Sequence, residues 1–557
     1  MPYFINLQNK LFHSSELSIE EMIKLDKFLL LLEESGVGKI IEEATKTDRS
    51  KGGRNPYNPY RLFATIIYGF SKHSGSLRKI EESINFDLRF IYLMDNFKPT
   101  YVTISKFLNN VVVKFQQEIF ISITKTIIDK YNICIDDVFL DGTKLEANAN
   151  KLKFVWKPTT FKKNLYLKIR NLLLSYFHLS DNKTSFVSKE VGDYLQELLN
   201  IISSKGIDTT DLKRGKGVRN PSIVKDYFLL SDYLIKLLTY EEQEEICGPS
   251  RNSYYKTDID ATAMCLKEDY YSGLGSNMHA GYNFQLLVSK GIILHYFVCQ
   301  DRNDMTTLIP FLSSFNSLYG FFPKRLCADS GYGSFSNLQF VYDNNIHSFI
   351  KTLDWASLLS GDSIQLFHFD ENNNLFCLNN KMAQKLDYYY GRHPHGKYSF
   401  YLISSCHKCK FKSICQKSLK SIKNERVFET NSDFYFLRQL NINNLLSHKG
   451  IEMRVNRSSQ VEGAFGVIKQ DMDYERARRK GIVNVSAEIM LVCLGYNIRK
   501  LFLLLSNKAK LDYWVAPIDL QSESLPIPNF KKFLKTESKK KGKNASLRTS
   551  YKHKKGR

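Results

Sequence analysis

Val138-Phe139-Leu140-Asp141-Gly142 and Arg325-Leu326-Cys327-Ala328-Asp329 decide how this chain is read. Each is a short apolar run that delivers an aspartate. Such runs read as buried strands of an α/β sheet, and carboxylates at strand ends are well placed to share a site. Working outward from them, Tyr282 to Val288 and Ile292 to Val298 are β-rich and separated by Ser289-Lys290-Gly291, a hairpin turn. A helix is expected around Thr306 to Asn316. After Asp329 come a Gly331-Tyr332-Gly333 turn, another helix and a short strand at His347 to Ile350. A third acid, Glu462, falls in a strongly helical stretch, 458–506, with Val461, Phe465 and Ile468 marking its buried face. Hard divalent cations take oxygen ligands, and two-metal phosphoryl transfer needs convergent carboxylates. In a chain with 57 acids, the pattern alone leaves each of the three open to a plainer role as cap or surface charge.

Composition narrows the class. The chain has 557 residues and is 43% hydrophobic, so it can build large cores. Its net charge of +22 points to a polyanion, with nucleic acid the first candidate. The N-terminus lacks the pattern of a secretory signal. No apolar run reaches the roughly 20 residues needed to cross a bilayer; the longest, Ile489 to Leu505, is broken by Gly495, Asn497, Arg499 and Lys500. The expectation is a soluble, cytoplasmic, nucleoid-associated protein with no membrane partner and reduced cysteines.

The stretch 1–130 reads as a helical module. Ser18 with Glu21 forms a capping box, Asn58 precedes Pro59 at a helix start, and Ser76 and Thr103 read as further caps. A Gly/Pro/Asn linker runs from Lys51 to Pro59. The module is either a helix-turn-helix-like DNA-binding unit or a plain bundle. We divide the remainder into a first core segment at 131–156, a helical insertion at 157–256, a second core segment at 257–351, a cysteine-containing insertion at 352–446, a third core segment at 447–510 and a basic tail at 511–557. The last 27 residues, from Lys531, hold twelve Lys/Arg and one Glu, which suits non-specific contact with nucleic acid.

Cys406-x2-Cys409-x5-Cys415, with Cys377 upstream, could supply four thiolates to a structural Zn2+. His407 is an alternative ligand, and buried free cysteines are the plainer reading.

Three longer motifs carry a family resemblance. Phe139 to Ala149 (FLDGTKLEANA), Ala328 to Ser334 (ADSGYGS) and Val461 to Lys469 (VEGAFGVIK) resemble the first-aspartate, second-aspartate and glutamate motifs of bacterial DDE-type insertion-sequence transposases. Asn58-Pro59-Tyr60-Arg61-Leu62, Tyr68-Gly69-Phe70 and Lys79-Ile80-Glu81-Glu82 resemble their N-terminal module. The likeness spans most of residues 40–505 and is greatest to insertion-sequence family eleven-eighty-two, within the "IS Four"-like superfamily.

The resemblance implies an α/β, ribonuclease-H-like catalytic core with a helical N-terminal domain and two insertions. It implies Asp141, Asp329 and Glu462 as catalytic ligands of two Mg2+ (or Mn2+) ions. Cleavage of element ends and joining to target double-stranded DNA would follow, on a homodimer. In the superfamily an arginine often stands four residues before the glutamate. Here that position is Ser458, and Arg457 and Arg454 are the candidates for its DNA-binding role. Lys469 lies two helical turns from Glu462, roughly 10 Å, and could hold a phosphate. Two other readings stay open: a non-catalytic or decayed DNA-binding derivative, and a nuclease that cuts without joining.

Overall fold

The computed structural model describes residues 17–506, apart from 46–55, 74, 211, 216, 267–277, 361–363, 390–392, 394 and 417–423. The basic tail and most of the 51–59 linker lie outside the described residues.

Among the described residues, the α-helices before the first strand are α1 Ile19–Glu34, α2 Val37–Ala44, α3 Pro59–Lys72, α4 Leu77–Phe86, α5 Leu88–Leu93, α6 Tyr101–Phe107 and α7 Gln116–Lys130. Their starts follow capping chemistry, in which a side-chain oxygen satisfies an orphan N–H of the first turn. Ser18 accepts from Glu21 N–H (3.2 Å), Asn58 from Tyr60 and Arg61 (3.0 and 3.2 Å), and Ser76 from Lys79 (3.4 Å). Thr103 is not a cap; it lies inside α6, which begins after Thr100.

The central sheet is built from β1 Asp137–Glu146, β4 Thr262–Cys265, β5 Met278–Ser289, β6 Ile292–Cys299, β7 Arg325–Ala328 and β8 His347–Ile350. Its order is β4-β5-β1-β7-β8, with β6 also on β5. The pairs β5–β1 and β5–β6 are antiparallel, while β1–β7 and β7–β8 are parallel. Lys290 and Gly291, both at positive φ (50° and 75°), make the tight turn between β5 and β6.

On two outer strands of this sheet, β6 and β8, a buried asparagine occupies the outward backbone groups of one residue, which lessens the hazard of an open ladder. Asn497 brackets Ile293 of β6, accepting its N–H (2.8 Å) and donating to its carbonyl (2.9 Å). Asn441 does the same to Ile350 of β8 (3.0 and 2.6 Å).

Between β1 and β4, the pair β2 Phe154–Trp156 and β3 Ser253–Tyr255 forms the stem of an insertion. It carries helices Thr159–Leu173, Ser188–Ser204 and Ser222–Cys247, which enclose their own apolar cluster around Ile169, Leu198 and Leu237. A second insertion, after β8, contains the strand pair Phe367–Phe369 and Leu375–Cys377 and the three-stranded sheet of Gln384–Leu386, Ser399–Ile403 and Arg426–Thr430. The helix that follows, α8 Ser432–Leu446, carries Asn441 and packs on β8, so it lies with the central sheet.

The stretch 458–506, expected to be strongly helical, is interrupted. Helix α9 His448–Arg457 widens into π turns over Ser458–Glu462 and Val467–Asp471. The chain then leaves helical geometry until α10 Ile482–Leu505. This last helix lies between α3 and β6, so the N-terminal helices share one hydrophobic core with the sheet. Among the described residues no helix is long and apolar enough to cross a membrane.

Candidate active site

Strand register brings the two aspartates together. The parallel ladder pairs Phe139 with Cys327. Asp141 and Asp329 each stand two residues further on, hence level with each other on neighbouring strands about 4.8 Å apart. Asp329 follows the last residue of β7, as expected. Asp141 does not end its strand: β1 continues to Glu146, paired with β5 alone. The polar run after Leu140 looked like a strand end because only its parallel neighbour stops there.

Glu462 arrives from the π turn after α9. In an α-helix the positions three and four apart face one another, and a residue five back falls off that face. A π turn closes i→i+5 and restores the alignment for Arg457, five residues before the glutamate. Arg457 Nη2 lies 2.9 Å from Asp141 Oδ2, and its Nη1 lies 2.8 Å from Glu462 Oε1. Ser458 Oγ donates to the other Glu462 oxygen at 3.0 Å. The arginine side chain is 4% exposed, against 49% for Glu462 and 48% for Asp329.

The charges are coupled. Burial pushes the Asp141 carboxyl above its ordinary range; Arg457 pulls it down, and Asp329 and Glu462 push it up again. Burial works against the Arg457 charge, yet the three carboxylates hold it protonated, above the usual arginine range. Lys351 Nζ stands 3.8 Å from Asp329 Oδ1. It follows the His347–Ile350 strand just as Asp329 follows its own, and the register that pairs Ala328 with Ile350 sets the two side by side.

A buried polar layer supports the two motifs from below. Asp304 accepts from Asn283 Nδ2 and Gln285 Nε2, both at 2.8 Å, and the Tyr332 hydroxyl donates to Gln285 Oε1. A Cβ at position 142 would meet Gln285 Nε2 at 2.1 Å, so only glycine fits beside Asp141. None of Asp304, Asn283 or Gln285 carries a short sequence signal; their role comes from cross-strand neighbours.

The other candidates are placed as follows. Lys469 Nζ donates to Thr143 Oγ1 at 2.6 Å, two residues along β1 from Asp141. Arg454 stacks on Trp355, 5.0 Å from the ring centroid, and burial lowers its pKa. Cys377, Cys406, Cys409 and Cys415 line one small cavity of about 20 Å³ in the second insertion. Burial raises the Cys406 and Cys415 thiols, and the neighbouring thiols add to the rise. Among the described residues no three His, Cys, Asp or Glu side chains stand in an arrangement that holds a metal ion as it is.

A family model described as Transposase DDE domain matches residues 376–502, and one described as Transposase domain matches residues 17–110. Both matched segments are transposase domains, and together they support a DDE-type insertion-sequence transposase. The first match takes in the four cysteines, Arg457, Glu462 and Lys469 of this transposase; the second takes in α1 to α6. No curated protein and no solved structure matches the chain.

Proposed function

We propose that this transposase cleaves the ends of an insertion element and joins them to target DNA by metal-dependent phosphoryl transfer, with Asp141, Asp329 and Glu462 as its catalytic carboxylates. The observation that carries the reading is the meeting of the three acids at Arg457. The strand order, with β5 antiparallel to β1 and β6 beyond it on one side and the parallel strands β7 and β8 on the other, supports a ribonuclease-H-like core. The motif spelling favours insertion-sequence family eleven-eighty-two.

The donor set is all carboxylate oxygen, which suits Mg2+ or Mn2+, two per site. When bound, such ions lower the pKa of an attacking water or hydroxyl and stabilise the leaving oxygen. Asp141, Asp329 and Glu462 would hold them. Water attacks the phosphorus at the element end and the P–O3′ bond breaks, which frees a 3′-hydroxyl. That hydroxyl then attacks a target phosphodiester, whose own 3′-oxygen leaves. Arg457 gives Asp141 a counter-charge that opposes the effect of burial, and Lys469, held at Thr143, lies where it can contact a backbone phosphate. Arg454, stacked on Trp355, is a further candidate for a DNA contact. Two paired ends imply a homodimer on DNA, in the cytoplasm at the nucleoid. In the second insertion, the four thiols would hold a structural Zn2+; the shared cavity is large enough for one small sphere.

Asp141→Asn tests the reading. On a duplex carrying the DNA that flanks the gene, cleavage and strand transfer should fall below detection while duplex affinity stays unchanged. Residual cleavage by this variant at the wild-type rate would sink the assignment.

A further inference from the structure

A groove of about 720 Å³ runs between the N-terminal helices and the core. Four arginines line it: Arg78, near the start of α4, and Arg476, Arg478 and Arg479 from the non-helical segment before α10. Two carboxylates line it as well, Asp473 and Glu488. The balance is positive even with both acids ionised.

The arginine segment is held as a rigid loop. Ala477 N–H donates to the Glu146 carbonyl (2.8 Å), and Asn148 Nδ2 donates to the Arg478 carbonyl (2.8 Å). The N–H groups of Arg478 and Arg479 donate to the buried Glu488 carboxyl at 3.1 and 3.0 Å. Further on, Gly481 N–H reaches Asp258 (3.1 Å) and Ile482 N–H reaches Asp260 (2.8 Å). These bonds use the backbone. A chain fixed in this way presents its side chains in a preorganised row.

The row is in line with the acidic site. From Asp141 to Glu146, β1 advances five residues, roughly 16 Å at ~3.3 Å per residue. Lys469 stands part-way, at Thr143, and Arg476 stands at the far end, 3.7 Å from Glu146. Along the axis of a duplex, where each strand places one phosphate per ~3.4 Å, that distance is about five nucleotides.

We propose that this groove binds the phosphate backbone of the duplex whose scissile phosphate lies at Asp141, Asp329 and Glu462, so that the N-terminal module and the core grip one DNA together. The inference rests on the DNA-cleaving reading above. Guanidinium groups are suited to phosphate through paired, charge-assisted hydrogen bonds. An acidic protein segment would meet the same charge, but it would have no reason to be in line with a DNA-cleaving centre.

The test uses the full chain and a labelled duplex of arbitrary sequence, with affinity measured against salt. Each lost phosphate contact lowers the slope of log affinity on log salt by about 0.9. The double variant Arg78→Gln/Arg478→Gln should lower the slope by nearly 2 and weaken binding by on the order of tenfold at moderate salt. Lys225→Gln/Lys236→Gln, which removes the same charge from exposed positions on the helical insertion, should change the slope far less. Equal effects from the two doubles would overturn the groove and leave the catalytic reading standing. A wild-type chain that binds no duplex would overturn both. Arg78→Gln alone, on the opposite wall, should lower the slope by about 0.9 and keeps the test decisive if the loop variant fails to fold; no change in its slope would also overturn the groove.

Discussion

Arg457 is a buried cation facing three acids, and its removal should be felt twice. Without it, the part-buried Asp141 loses its counter-charge, and breaking a fully buried pair this way costs about 3–5 kcal/mol, an upper bound here. Arg457→Ala should therefore lower the denaturation midpoint and also lose cleavage. Arg457→Lys should recover part of the stability and little of the activity, because an ammonium cannot bridge two carboxylates as a planar fork does. A lysine variant with full activity would show that charge alone matters there. Glu488 makes a separate prediction at the same scale. Burial pushes its carboxyl up from 4.5 to about 7, although the Arg478 and Arg479 N–H groups and guanidiniums pull the other way. A folded-state pKa raised above the unfolded one contributes stability that is full below the unfolded value and lost as pH rises through the folded one. The window is thus about pH 4.5 to 7, and the loss is about 3 kcal/mol. Glu488→Gln should flatten the pH dependence of the urea midpoint across that window. An unchanged profile would mean that the carboxyl is ionised throughout.

At the level of elements, the second insertion is the place where a metal would add most to stability. Its strands are three to five residues long and its buried cluster is small, with Cys377 and Cys406 among its members. If the four thiols take zinc with Zn–S bonds of about 2.3 Å, purified protein should carry about one zinc per chain. Cys409→Ser should lose it and expose the insertion to protease, and zinc retention should fall with falling pH as the thiols reclaim protons. Zinc-free protein with an equally protected insertion would leave the cysteines as core residues. The sequence showed these elements unevenly, for physical reasons. Buried strands were legible because Val138 to Leu140 and Ile292 to Val298 are apolar on both faces, and helix starts were legible where Ser18, Asn58 and Ser76 cap locally. The break in 458–506 was not, because its causes are distant: Glu146, Asn148 and Asp258 hold residues 477–481 through bonds across the molecule. The π turn that aligns Arg457 with Glu462 is equally silent, since it changes helical pitch without any marker residue. The three catalytic candidates were legible through motif spelling, whereas Lys351 and the Asp304 layer needed strand register.

For the whole molecule, the question is what makes the N-terminal helices and the sheet one body, and two glycines offer a matched test. Gly495 lies in α10 where that helix crosses α3; a Cβ there would stand 2.8 Å from the Phe70 carbonyl carbon and 2.9 Å from its oxygen. Those atoms are backbone and cannot rotate away, so α3 itself must shift. Gly192 lies in the insertion helix Ser188–Ser204, and a Cβ there meets nothing within 4 Å. Alanine in a helix is favoured over glycine by up to about 1 kcal/mol. Gly192→Ala should therefore raise stability, and Gly495→Ala should lower it, because overpacking costs typically about 1–3 kcal/mol. The same substitution thus has opposite signs at the two sites, read as shifts in the thermal midpoint. The consequence reaches function, since Phe70 and Leu491 also line the arginine groove. Displacing α3 from α10 moves Arg78 relative to Arg476 and Arg478, so Gly495→Ala should weaken duplex binding although position 495 touches no DNA. A Gly495→Ala protein as stable as wild type, binding DNA as tightly, would mean that the two halves are joined less closely than this crossing implies.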